Sequence, residues 1–118
     1  MIAKIFIAFI AALHIYILVL EMFLWDKPLG LRVFGNSVER AVLTKVLAKN
    51  QGLYNGFLAA GLIWSIFSSN IMFVSLATFF LSCVFIAGIY GAWTVSRKIL
   101  LIQAIPAFIA LICVHLNF

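Results

Sequence analysis

Asn50-Gln51-Gly52-Leu53-Tyr54-Asn55-Gly56 is the stretch of sequence that decides how this chain folds. It carries three amide side chains and two glycines, and it opens a long apolar segment. An amide inside hydrocarbon costs free energy unless it finds a polar partner. We therefore expect Asn50, Gln51 and Asn55 to face other protein, a ligand or a hydrated cavity. The expected partner is Glu21, the one acidic residue inside a long apolar run.

The composition around this stretch is that of a membrane protein. Of the 118 residues, 67% are hydrophobic and 9% are charged, and the mean hydropathy is +1.26. Soluble globular domains do not have this composition. Apolar segments of roughly 20 residues are long enough to cross a bilayer as helices. The chain is predicted to be a single-domain, all-α membrane protein, a compact bundle of four transmembrane helices at about residues 2–25, 50–67, 71–93 and 99–116.

A short amphipathic helix is predicted between the first and second transmembrane helices, at about residues 37–49. Asn36 is its expected N-cap, with Glu39 three residues later as in a capping box. Two continuations are left open: an uninterrupted run into the second transmembrane helix, or a bend, for which Gly52 is the expected position. Its apolar and polar residues separate on a helical wheel, which is typical of a helix at the membrane interface: Val38, Val42, Leu43, Val46 and Leu47 on one half, and Ser37, Arg40, Thr44 and Lys45 on the other.

Glu21 and His14 are predicted to share one face of the first helix, because seven residues make almost two whole turns. Trp25 marks the interface, so Glu21 is expected about one turn below it, with His14 roughly 10 Å deeper. Glu21 is the candidate charge or proton site, and His14 a candidate relay. One histidine and one glutamate are a weak metal signal. No metal or cofactor is predicted.

A line of small residues on the second helix, Gly52, Gly56 and Ala60, is predicted to let a neighbouring helix approach closely. On the fourth helix, Pro106 has no N–H and is expected to kink the chain near Gln103.

Orientation is predicted from the basic residues. Cytoplasmic loops carry an excess of lysine and arginine, and seven such residues flank the first and third loops against one on the opposite side. Both basic loops are therefore expected in the cytoplasm and both termini outside. The net charge of +5 is explained by topology and contact with anionic membrane lipids, not by nucleic acid. The seven are Lys27, Arg32, Arg40, Lys45, Lys49, Arg97 and Lys98, and the single opposing residue is Lys4.

The polar side chains are expected to meet at one depth, in the cytoplasmic half of the membrane. Contributions from all four helices predict a shared polar cavity open to the cytoplasm. The competing interpretation of the amides is hydrogen bonding between helices, at about 0.6 kcal/mol per bond. The cavity residues are expected to be Glu21, Asn50, Gln51, Tyr54, Asn55, Tyr90 and Gln103, with His14 below them.

Glu21-Met-Phe-Leu-Trp25, followed by Asn50 to Gly56 and then Phe-Leu-Ala-Ala-Gly61, resembles the bacterial membrane-protein family catalogued as domain of unknown function 1304. The resemblance covers essentially the whole chain. It implies a small four-helix integral protein of the bacterial cytoplasmic membrane. It implies no activity, substrate or cofactor.

A more distant similarity is to the small multidrug resistance transporters, which have four helices and one glutamate in the first. This chain departs from them in two ways. Its charge bias should fix one orientation, and Glu21 is close to the interface. The comparison is an analogy between folds only.

Three function classes follow from the sequence. The leading one is a membrane protein whose cavity around Glu21 binds a small polar or cationic molecule, with transport as an extension. The second is a membrane-embedded enzyme acting on a lipid-like substrate, with Glu21 as acid or base and Tyr54 or Tyr90 assisting. No recognisable catalytic motif supports it. The third is a structural subunit in which the glycines bind a partner helix. Formation of a homo-oligomer is left open.

Overall fold

The chain is helical from end to end, because a long apolar backbone can satisfy its own hydrogen bonds in a helix. The computed structural model describes all 118 residues. In chain order the elements are α1 (Ile2–Met22), α2 (Pro28–Phe34), α3 (Val38–Phe67), α4 (Asn70–Thr94), a π-helical turn (Leu100–Ala104) and α5 (Ile105–His115).

Two helices, α1 and α4, are long and apolar enough to cross a bilayer, whereas the apolar segments of the sequence predict four. The second predicted segment belongs to a longer helix, α3, whose first half carries charges and amides. The apolar stretch Leu100–His115 is shorter than a typical span. The structure therefore establishes an all-helical protein with two helices capable of spanning a membrane.

Helix α3 is continuous over 30 residues, so the predicted interfacial helix and second transmembrane helix are one element. There is no break at Gly52. A single glycine in a helix interior costs only about 1 kcal/mol relative to alanine, which the flanking helix overcomes. The predicted cap is also displaced by one residue: the Ser37 hydroxyl, not Asn36, accepts the backbone N–H of Arg40 at 3.2 Å.

Pro28, Gly30 and Gly35 predict a turn-rich loop from Asp26 to about Asn36, but this segment contains the seven-residue helix α2. Pro28 occupies its first turn, where a missing N–H costs nothing. Gly35 ends it in the left-handed conformation with φ 65°, a backbone region that glycine enters without a steric penalty. The turn residues that predict a loop are thus the start and stop of a short helix.

Near Gln103, where a kink is predicted, the helix contains the π-helical turn. The backbone N–H of Ile105 bonds to the carbonyl of Leu100, five residues earlier. Pro106 follows in the first turn of α5, where its missing donor is tolerated.

The chain divides into two compact units: unit 1 comprises Met1–Ala12 and Leu58–Phe118, and unit 2 comprises Leu13–Phe57. Unit 1 has a core rich in alanine, as expected where helix backbones approach closely. Gly88 of α4 lies directly against the backbone of Ala104. The buried core residues are Ala3, Ile7, Ile10, Ala11, Leu62, Ala77, Leu81, Val84, Ala107, Ala110, Cys113 and Val114.

Unit 2 is held together by polar contacts between the segment after α1 and the first half of α3. The indole N–H of Trp25 donates to the Thr44 hydroxyl at 3.1 Å. One residue further on, Lys45 Nζ donates to Asp26 Oδ2 at 2.9 Å. These parallel contacts fix the end of α1 against α3 and so position the next residues of both helices.

Candidate functional site

Glu21 and Asn55 form a buried polar pair in unit 2. The Asn55 side-chain amide donates to Glu21 Oε1 at 2.5 Å, and each residue is only 7% exposed. The same amide nitrogen also donates to the backbone carbonyl of Gln51, one turn earlier, at 3.3 Å. The second bond fixes the direction of the Asn55 side chain, so that it points at the carboxylate.

The pair is possible because α1 and α3 approach each other closely at two glycines. A Cβ atom on Gly52 would lie 3.1 Å from the Glu21 Cβ and 3.2 Å from the Leu18 carbonyl oxygen. On Gly56 it would lie 2.7 Å from Leu18 Cδ1. The two glycines therefore flank Leu18 and bring the α3 backbone within reach of the short Asn55 side chain.

The third small residue of the predicted line, Ala60, is not part of this contact. Ala60 is exposed and Ala59 is buried. A helix advances about 100° per residue, so position 59 returns to within about 20° of Gly52 while position 60 is about 80° away. Ala60 therefore lies on a different face of α3 from Gly52, and its role in helix packing stays a prediction.

The other predicted residues of this stretch lie on outer faces of α3. Asn50 is exposed, and its side chain donates to the carbonyl of Val46 at 2.9 Å. The side chain of Gln51 is also exposed. Tyr54 is exposed and packs edge-on against Phe57. Of the three amides, the structure brings only Asn55 to Glu21.

His14 lies two turns before Glu21 and is completely buried, as the shared face predicts. No buried side-chain nitrogen or oxygen in the structure lacks a hydrogen-bond partner. His14 is therefore a satisfied buried residue. The structure contains no group of three or more His, Cys, Asp or Glu residues arranged to hold a metal ion.

Tyr90 and Gln103, the remaining predicted site residues, belong to unit 1. Tyr90 is exposed and packs edge-on against Trp93. Gln103 is half-buried in the π-helical turn. A cavity of about 290 Å³ in unit 1 contains neither residue and none of the other predicted site residues. It is lined by Met1, Ala3, Lys4, Asn70, Phe73, Val74, Cys113, Val114, Asn117 and Phe118.

The contacts Trp25–Thr44 and Asp26–Lys45 are not predictable from the sequence alone, in which Trp25 marks the membrane interface and Lys45 contributes to the excess of basic residues. Both pairs are 19 residues apart. Such pairs can be recognised only once the path of the chain between residues 26 and 44 is known. The hydrogen bond from Lys45 lowers the pKa of the Asp26 carboxyl below its usual value.

What distinguishes Glu21 chemically is the kind of partner it has. The ion pair of the structure joins Lys45 to Asp26, whereas the partner of Glu21 is a neutral amide. An amide donates one hydrogen bond to a carboxylate but does not neutralise its charge. A buried carboxylate in this setting gains stability from a proton or a bound cation.

Comparisons with known proteins agree with the sequence resemblance. The family described as "Protein of unknown function (DUF1304)" matches residues 8–115. The chain is 36% identical over 99 residues to the uncharacterized protein YpaA of Lactococcus lactis subsp. lactis (strain IL1403), with 82% of each chain covered. No solved structure matches the chain.

Proposed function

The chain belongs to the DUF1304 family of unknown function, and from this premise we propose that it is an integral membrane protein that binds a small cationic or polar molecule at Glu21. The observation that carries the proposal is the buried Glu21–Asn55 pair. The proposal extends to transport of the bound molecule across the membrane through the same site.

Membrane insertion is supported by the exposed surfaces of α1 and α4. Only 28% of the apolar stretch of α1 and 22% of that of α4 is buried within the protein. The core helix of a soluble protein would be mostly buried, so these helices need a further apolar environment. A bilayer provides one.

The proposed topology has four crossings, with both ends of the sequence outside the cytoplasm of a bacterial cell. The basic residues of 27–49 and 97–98 belong on the cytoplasmic side. Two basic segments on the same side of the membrane must be joined by an even number of crossings. Helix α4 supplies one crossing, and residues 50–67 of α3 are the apolar segment available for the other. Helix α1 and the stretch Leu100–His115 complete the four.

A cation is the ligand class that the site favours. A buried carboxylate is costly unless its charge is compensated, and the side chain bonded to Glu21 is uncharged. Asn55 orients the carboxylate, and its carbonyl oxygen is a further ligand for a cation. The enzymatic alternative lacks such support, because Tyr54 lies on an outer face of α3. Gly52 and Gly56 are likewise occupied by α1 of the same chain.

The test is native mass spectrometry of the protein gently extracted from membranes, compared with Glu21→Gln. Glutamine retains an oxygen that can accept the Asn55 hydrogen bond but carries no charge. The matched control is Glu39→Gln, which removes an exposed acid in the first turn of α3. We expect a small-molecule adduct on the wild type and on the Glu39 variant that is lost from the Glu21 variant.

An adduct of equal occupancy on all three proteins would contradict a site at Glu21. The complete absence of adducts, with binding of monovalent organic cations also undetectable by titration, would leave the pair as a hydrogen bond between helices and refute the proposal.

A further inference from the structure

The cavity of about 290 Å³ in unit 1 is lined by residues from the first turns of α1 and α4 and from the last turn of α5. Part of its lining is apolar: Ala3, Cys113 and Val114 are buried there, and Val74 is half-buried. The rest of the lining includes an ammonium group and two side-chain amides. Such a lining is typical of a site for a small molecule that has an apolar body and a polar head.

The ammonium group belongs to Lys4, which is half-buried in the first turn of α1. Its Nζ lies 5.2 Å from the centre of the Phe73 ring, and both residues line the cavity. The face of an aromatic ring attracts a cation but carries no net charge. The contact with Phe73 therefore orients the ammonium group without neutralising it.

Unit 1 contains no acidic side chain that could pair with Lys4. The three acidic residues of the chain all belong to unit 2, and the ion pair of the structure joins Lys45 to Asp26. The N-terminal ammonium of Met1 donates to the backbone oxygen of Phe118 at 2.9 Å, so these two groups are partners of each other. A charge that is partly removed from water gains stability from an opposite charge. The cavity therefore favours an anion beside Lys4.

Asn70 and Asn117 provide the two amides of the cavity. Asn70 is the first residue of α4, Asn117 follows the end of α5, and both are exposed. The nitrogen of a side-chain amide donates hydrogen bonds, and both oxygens of a carboxylate accept them. One cation with neutral donors beside it matches a ligand that carries a single negative charge.

We propose that this cavity binds a small organic carboxylate with a short apolar chain. The carboxylate accepts hydrogen bonds from Lys4 and from the amides of Asn70 and Asn117, and the chain packs against Val74 and Val114. The volume is close to the lower limit of small-molecule sites, about 300 Å³, which favours a short chain over a lipid. The proposal does not depend on a ligand at Glu21.

The experiment is a titration of the full chain with butyrate, in nanodiscs of phosphatidylcholine. Saturation transfer from the protein to the butyrate methyl protons, measured by NMR, reports binding. We expect saturable binding to the wild type and binding weaker by about tenfold or more to Lys4→Met, because the charged hydrogen-bond donor is lost. The matched control is Lys98→Met, which removes an exposed basic residue of unit 1 outside the cavity and should bind butyrate as the wild type does.

Two competitors separate the charge of the ligand from its apolar chain. Butyramide has the same chain without the charge, and inorganic phosphate has a charge without the chain. We expect neither to displace butyrate at equal concentration. Displacement by butyramide would show that Lys4 does not select an anion. Displacement by phosphate would assign the cavity to anionic groups of any source, lipid headgroups included, and would overturn the assignment to a carboxylate with an apolar chain.

A second variant tests the cavity itself. Val74→Phe adds a ring to the half-buried Val74 in the cavity lining and leaves Lys4 in place, so we expect it to abolish butyrate binding. Lys4→Met keeps an unbranched apolar side chain against Phe73 and should remain folded, so it decides the matter if Val74→Phe unfolds the protein. No saturable binding to the wild type, or equal binding to the wild type and Lys4→Met, would overturn the proposal.

Discussion

At the scale of single residues, the sequence predicts that an amide of residues 50–55 pairs with Glu21, and the structure identifies Asn55. The choice depends on the register of α3, since Asn50 points about 100° away from Gln51 and about 140° away from Asn55, while Gln51 and Asn55 are only about 40° apart. The register is fixed by Gly52 and Gly56 packing on Leu18. Sequence alone could not fix it, because the glycines were predicted without their partner.

The Asn55–Glu21 bond should be a measurable part of the stability of the protein. Asn55→Leu leaves a buried carboxylate oxygen without its donor, so we expect the free energy of unfolding to fall by about 1–3 kcal/mol. The double variant Asn55→Leu, Glu21→Leu should recover most of this loss, because replacing both partners by apolar groups is nearly neutral. Unfolding in mixed detergent measures both.

Asn50→Leu is the control for that substitution. Its amide bonds only to its own helix at an exposed position, so we expect a change within about 0.5 kcal/mol. An equal loss of stability for Asn50→Leu and Asn55→Leu would show that the buried bond has no particular role.

The Asp26–Lys45 pair predicts a dependence on pH. The pKa of Asp26 is lowered in the folded protein by the Lys45 hydrogen bond. Its contribution is therefore present above the unfolded value of about 3.9 and is lost as the pH falls through the lower folded value. The difference in unfolding free energy between wild type and Lys45→Met should shrink below about pH 4, whereas that for Lys49→Met should stay constant over the same range.

At the scale of elements, composition predicted the helices well where they are uniformly apolar. Helix α4 (Asn70–Thr94) differs by one residue at each end from the segment 71–93. For helix α3, composition leaves two outcomes open, a bend at Gly52 or one continuous helix. Backbone hydrogen bonding continues through the change from charged to apolar residues, so the second outcome holds. Helix α2 was missed because proline and glycine mark helix ends as well as loops.

Gly88 offers a test of helix packing in unit 1. A Cβ at this position would lie 2.7 Å from the backbone nitrogen of Ala104 and 2.9 Å from its Cα. Backbone cannot move aside as a side chain can, so we expect Gly88→Ala to destabilise the protein by about 1–3 kcal/mol. The gain in helix propensity from alanine should not compensate for this clash.

Gly91→Ala is the matched substitution one turn later. Its nearest neighbours are side-chain atoms of Ile99 at 3.3 Å, which can adjust. We expect neutral or slightly higher stability, measured by the same unfolding assay. A destabilisation as large as that of Gly88→Ala would mean that the loss reflects glycine flexibility and not contact with Ala104.

At the scale of the whole molecule, the family inferred from the sequence is confirmed, and two helices are long and apolar enough to cross a membrane. The four crossings and the orientation remain predictions, because they depend on a bilayer and not on contacts within the chain. The shared cavity was inferred from depth alone. Depth does not determine which way a side chain points, and the exposed Asn50, Gln51 and Tyr54 illustrate the difference.

The crossing of α4 can be tested at its two ends. In a background without Cys83 and Cys113, single cysteines at Ser69 and Val95 precede and follow α4. We expect a membrane-impermeant thiol reagent to label Ser69→Cys in intact spheroplasts and Val95→Cys only in inverted vesicles. Labelling of both from the same side would show that α4 does not cross, and the reverse pattern would invert the proposed orientation.

The π-helical turn Leu100–Ala104 has a consequence for the history of the chain. Each bond there encloses one residue more than an α-helical bond does, so the turn accommodates a single inserted residue without interrupting the helix. A relative that lacks one residue between 99 and 105 can therefore keep α4 and α5 with an ordinary α-helical connection. We expect the length differences among aligned family members to fall at this turn rather than within α3 or α4.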